Sequence, residues 1–186
     1  MNKEFERFKQ WLSLNYSDGL IDLNPPATDY EIEELTKILG VELPNDFLNV
    51  LRTHNGQKGE SAWLFDSQEF LSTHRIIEEF NTWKNLLNTQ LQGKSSTPDE
   101  GVKNDWWNTN WIPFTSDGCG DHYCLGLRST NTGTKGQIIT LWYESSEREI
   151  VAPSFSLWFE EYVEQLYSGE LIYSEEYNSI VYKDEL

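Results

Sequence analysis

Long apolar runs are missing from these 186 residues, and no stretch approaches the ~20 apolar positions that a membrane-spanning helix requires. The opening MNKEFERFKQWL also lacks the apolar centre of a secretion signal and reads as an amphipathic helix. Cysteine is scarce. Two residues, Cys119 and Cys124, with no secretion signal ahead of them, predict free thiols in a reducing compartment and hence a cytoplasmic protein. The closing Lys-Asp-Glu-Leu is a retention address only for a protein already inside the secretory pathway, and in a tail rich in Glu and Asp it reads as coincidence. Bases are few: 14 Lys and Arg stand against 31 Asp and Glu, a net charge of −17. Such a surface repels phosphate backbones and anionic lipid, which argues against nucleic acid and membrane as direct ligands, whereas a basic protein would be drawn in by the field. The same acidity also keeps a protein soluble without implying any partner.

What is present is ample core material. Hydrophobic residues make up 38% and aromatics 14% of the chain, including eight Trp, enough for one globular domain over residues 1–186. Phe5, Phe8, Trp11 and Leu12 recur at helical spacing. In TDYEIEELTKILG, Thr28 or Asp29 can cap a helix whose stripe is Ile32, Leu35 and Leu39 and whose stop is Gly40. Pro44 opens another helix carrying Phe47, Leu48 and Leu51, which ends at Asn55-Gly56. SAWLFD, bounded by Gly and Asp, suits a short strand, and residues 69–91 return to helical spacing. Residues 92–105 are polar and punctuated by Gly, Ser and Pro, the composition of a mobile loop or insertion. Beyond them the period becomes two. WIPFTS, HYCLGLR and GQIITLWYE read as strands, with REIVA a fourth, in an antiparallel meander. A final helix runs from Pro153 or Ser154 to Gly169, and residues 170–186 are an acidic, Tyr-containing tail to which the sequence assigns no element. The fold class is α+β: helices first, an antiparallel sheet, then a closing helix.

The densest chemistry lies in SDGCGDHYC. Zinc at Cys119, His122 and Cys124 would need a fourth ligand, and neither His54 nor His74 has a cysteine near it in sequence. A nucleophilic Cys119 would need a base and an orienting group from elsewhere in the chain, and Cys124 sits at an alternating strand position that suits core filling. The Gly-rich run has no Lys-Ser/Thr and leads into a strand, so it is no phosphate loop, and its aspartates lack the oxygen spacing of a calcium loop. Mechanically it makes sense as a tight turn, with Gly118 and Gly120 free to take positive φ and Asp117 and Asp121 able to bond neighbouring amides. No catalytic residue, metal or cofactor is assigned. In WWNTNW, Trp106 and Trp107 cannot both point inward along an extended backbone, which predicts one exposed aromatic beside an acidic surface, a usual anchor at protein interfaces.

The ordered set EIEELTKILGVELPNDFLNVLRTHNG, IPFTSDGCGDHYCLGL, GQIITLWYE and APSFSLWFEEYV resembles the SUKH superfamily, the Smi/Knr-like proteins, over roughly residues 25–168. Two positions depart from the usual pattern: Cys119 stands where a third glycine is common, and Gly126 where an aspartate is common. The resemblance implies an α+β fold and no enzyme activity. It also implies one of two roles: a bacterial immunity protein that neutralises a cognate toxin, often a nuclease, or a regulatory scaffold of the kind fungi use in cell-wall synthesis. The size and acidity of the chain favour the first, with a basic toxin held at Trp106, Trp107, Asp117, Asp121, Glu144 and Glu147. The scaffold is the alternative. A hydrolase or metalloprotein centred on Cys119 and His122 is the third reading.

Overall fold

A computed structural model describes residues 2–186. Helix α1 (Asn2–Asn15) turns Phe5, Phe8, Trp11 and Leu12 into the core, and the Trp11 indole donates to the Leu166 carbonyl at 3.0 Å. The short α2 (Ser17–Ile21) follows. Helix α3 (Asp29–Leu39) begins at a reciprocal capping box: the Thr28 side chain accepts from the Glu31 amide while the Glu31 carboxylate accepts from the Thr28 amide. It stops at Gly40, whose φ of 68° is left-handed. Helix α4 (Asn45–Leu51) starts after Pro44. Helix α5 (Thr73–Thr89) is capped by Ser72, and α6 (Phe155–Ser168) runs from a Ser154 cap to a left-handed Gly169. The starts of α3, α5 and α6 and the ends of α3 and α6 thus have their caps in the local sequence.

Four strands form the central sheet in the order β3-β5-β6-β8, all antiparallel: β3 (Trp111–Pro113), β5 (His122–Gly126), β6 (Gln137–Leu141) and β8 (Ile150–Ala152). Two-stranded pairings surround it: β1 (Glu69–Phe70) with β4 (Thr115–Ser116), β2 (Thr97–Pro98) parallel to β7 (Glu147–Arg148), and β9 (Leu171–Ser174) with β10 (Ser179–Tyr182). Strand β5 is covered on both sides. His122 packs edge-on against Trp83 of α5, with centroids 6.0 Å apart, and Tyr123, pointing the opposite way, lies 5.7 Å from Trp158 of α6.

One expectation from the sequence does not survive. SAWLFD forms no regular strand. Leu64 and Phe65 are both buried, which breaks alternation, and the buried Gln57 side-chain oxygen accepts from the amides of Leu64 and Phe70, supplying what a strand partner would. Within 92–105, Ser96 and Val102 are buried and β2 is tied to β7, while most of the other side chains are exposed or half-buried. The acidic tail is a docked hairpin: Leu171, Ile180 and Val181 are inside, and Tyr173 stacks on Tyr16 at 3.9 Å.

Candidate functional site

The turn between β4 and β5 is organised by one carboxylate. Asp117 Oδ1 accepts from the amides of Cys119 (2.8 Å), Gly120 (3.0 Å) and Asp121 (2.8 Å), while Gly118 and Gly120 take φ of 74° and 111°. Cys119 is outside the positive-φ set, so the glycine common at this position in similar proteins is dispensable here. Asp121 Oδ1 accepts from the Tyr143 amide at 2.7 Å and so pins this turn to the one leaving β6. A side chain on Gly120 would meet Tyr143 at 3.1 Å, and the bare glycine lets the two turns close together.

The Cys-His cluster does not converge. Cys124 is buried, and desolvation pushes its thiol well above the usual range; Cys119 is exposed. His122 is fully buried, with Nδ1 donating to the Thr115 carbonyl at 2.7 Å and Nε2 3.9 Å from Glu79. Burial lowers its pKa, against the pull of Thr115, Glu79, Asp117 and Asp121. Among the described residues, no three His, Cys, Asp or Glu side chains gather as a metal-ligand set.

What does converge is acidic. Asp66, Ser67 and Gln68, the 117–121 turn, and Trp142 to Ser145 enclose a cleft of about 860 Å³. Four carboxylates line it, Asp66, Asp117, Asp121 and Glu144, and among the described residues no Lys or Arg does. Tyr143 stands exposed at its wall. Ser67 leads into a smaller trough of about 290 Å³ beside Trp63, and Trp63 in turn lies against Gly118. Asp66 and Ser67 are the two central residues of a tight turn in which Phe65 and Gln68 exchange backbone hydrogen bonds of 3.0 and 2.9 Å. Both sit at positive φ, 48° and 57°, the conformation of a type I′ turn that glycine usually supplies.

Of the six residues chosen from the sequence, Asp117, Asp121 and Glu144 share this cleft. Glu147 is exposed on β7, outside the lining. Trp107 is no surface anchor: it is buried against Phe80 and Trp83, and its indole donates to the Trp111 carbonyl at 3.2 Å. Trp106 is half-covered between Lys94 and Arg148, whose cationic groups lie 5.0 and 5.1 Å from its ring. The chain at 106–107 bends instead of extending, so the alternation argument does not hold there. Missed altogether were Asp66, Trp63 and Arg148. Asp-Ser is a weak turn signal without glycine, and no pattern near Arg148 announces that its guanidinium is buried.

The family model for the SMI1 / KNR4 family (SUKH-1) matches residues 26–161, most of the chain. The chain belongs to the SMI1/KNR4 family. The cell wall biosynthesis/cell cycle regulator smi1 of Schizosaccharomyces pombe is 23% identical over 97% of this chain and 39% of its own length. The glucan synthesis regulatory protein of Neurospora crassa is 24% identical over 95% of this chain and 40% of its own length. The chain thus spans about two fifths of these SMI1/KNR4 relatives. A bacterial relative, the uncharacterized protein YnaB of Bacillus subtilis, is 38% identical over 33% of this chain and 39% of its own length. The antiparallel sheet, the helices before it and the closing α6 are the α+β fold expected for this family.

Proposed function

We propose that this chain is a non-catalytic, cytoplasmic protein-interaction domain of the regulatory SMI1/KNR4 kind, which holds a basic segment of a partner protein in the acidic cleft. The cleft itself is the supporting observation: four carboxylates, two aromatic side chains and, among the described residues, no base line one concavity on a chain of net charge −17. Complementary charge sets encounter rate and register, and the exposed ring of Tyr143 supplies apolar contact. The regulatory role is favoured because the fungal relatives that align along nearly the whole chain are regulators of cell-wall and glucan synthesis. Titration with a lysine- and arginine-rich peptide tests the face. Glu144→Lys should weaken binding about fivefold at low salt, with the difference closing as salt rises. Binding indifferent to both would place the contact elsewhere.

Immunity against a basic toxin is the second reading, favoured by the charge alone. It uses the same face but requires nanomolar affinity for one toxin and an association rate that falls steeply with salt. Co-purification with endogenous regulatory partners, without protection against any toxin, would decide for the scaffold.

A further inference from the structure

Beside the strained Asp66–Ser67 turn lies a third, smaller recess, of about 120 Å³. Its walls are rings. Trp158 and Tyr162 stack along α6 with centroids 5.9 Å apart and planes at 17°, Tyr123 of β5 leans on Trp158 at 5.7 Å, and Tyr182 closes the side from β10. Its polar lining consists of acceptors as well as hydroxyls: the carboxylates of Asp66 and Glu161 and the amide of Gln165, with no Lys or Arg among the described residues. Asp66 accepts from the Tyr123 hydroxyl at 3.3 Å, and the Gln165 side-chain oxygen accepts from the Tyr182 hydroxyl at 3.5 Å. The Phe65–Gln68 turn keeps that carboxylate at the recess by holding Asp66 at a φ that non-glycine residues rarely adopt. At this volume the recess is far below the roughly 300 Å³ at which pockets begin to hold drug-sized ligands, and matches a single side-chain head group.

Aromatic faces with carboxylates between them select organic cations. We propose that this recess receives the guanidinium group of an arginine from the partner. A guanidinium is planar and weakly hydrated, so it can lie against the half-buried rings of Tyr123 and Tyr182, and its five N–H groups answer the carboxylates of Asp66 and Glu161. A quaternary ammonium has no N–H and would strip those acceptors of water without replacing it, and a lysine ammonium is compact and strongly hydrated. The proposal rests on the partner-binding reading and sharpens it, because Asp66 lines both the cleft and the recess. A basic segment lying in the cleft therefore borders a socket for one arginine.

The test is an NMR titration of the full chain with N-acetyl-arginine methylamide, its lysine counterpart and tetramethylammonium. The arginine probe should saturate with a dissociation constant on the order of 1 mM, with shifts centred on Trp158, Tyr123, Tyr162 and Tyr182. The lysine probe and tetramethylammonium should bind at least about tenfold more weakly. Asp66→Asn, which keeps a residue tolerant of left-handed backbone, and Glu161→Gln should each lower arginine-probe affinity at least about threefold while leaving the rest of the spectrum in place. Equal or tighter binding of tetramethylammonium, no saturation up to about 30 mM arginine probe, or shifts centred on Tyr143 would each overturn the proposal. Glu144→Lys separates the two readings, since Glu144 lines the cleft and not the recess. Probe binding that survives where no basic peptide binds would retain the socket and remove the partner-binding reading. A basic peptide that binds equally well to Glu161→Gln, with no probe binding, would do the reverse.

Discussion

Arg148 shows how much one side chain can hold. It is completely buried, with its guanidinium donating to the carbonyls of Trp106 at 3.0 Å, Ser145 at 2.7 Å and Trp142 at 3.5 Å. Burial pulls its pKa down to about 10, so it stays charged at neutral pH. It therefore ties the 106 segment to the turn that forms one wall of the cleft. Arg148→Met should cost about 3 kcal/mol in urea unfolding, because several carbonyls lose a donor at once. Loss under about 1 kcal/mol would mean that water replaces the guanidinium. His122 makes a pH prediction at the same scale. Burial depresses its folded pKa, so between that value and the ordinary 6.5 only the unfolded chain binds the proton. Stability contributed by the neutral imidazole is thus present above 6.5 and lost as pH falls through it. His122→Gln should flatten the loss between about pH 7.5 and 5.5 relative to the parent, read by urea unfolding at each pH. Parallel profiles for both proteins would assign the acid sensitivity to carboxylates.

At the scale of elements, the junction of α4 and α5 carries the most constraint. Asn55 Oδ1 accepts from the Thr73 amide at 2.7 Å and its Nδ2 donates to Thr73 Oγ1 at 3.0 Å, fastening the end of one helix to the start of the other. Gly56 sits at φ 68°, and a side chain there would come within 2.3 Å of the Ser72 amide nitrogen and 2.5 Å of the Leu71 carbonyl carbon. Gly56→Ala should destabilise by about 3 kcal/mol or more, through backbone strain and a clash with backbone that cannot rotate away. A thermal midpoint within a few degrees of the parent would show that the junction can shift. The β9–β10 hairpin is the other element that behaves unlike its composition. Its Glu and Tyr content reads as tail, but Leu171 and Ile180 are fully buried, and alternation along four-residue strands is too short a signal to stand out.

Charge is a property of the whole molecule. At net −17 the folded chain repels itself, and compactness brings like charges closer than in the unfolded ensemble. Raising sodium chloride from about 0.02 to 0.5 M should therefore raise the melting temperature by a few degrees, as screening shortens the Debye length. A midpoint that falls with salt would show that attractive pairs, such as Arg7 with Glu4 and Glu164, outweigh the repulsion. The helix boundaries, the turn glycines and the antiparallel meander were legible in the residues themselves, since caps, left-handed stops and period-two alternation act over a few positions of chain. Thr28, Gly40, Pro44, Ser154, Gly118 and Gly120 all stand where that local chemistry places them. What only the tertiary structure decided is which residues meet. Asp66 joins Asp117, Asp121 and Glu144 around the cleft, Trp107 goes inside while Trp106 stays at the edge, and His122 is sealed under α5. Those outcomes depend on how sheet and helices share buried area, which no short window of sequence contains.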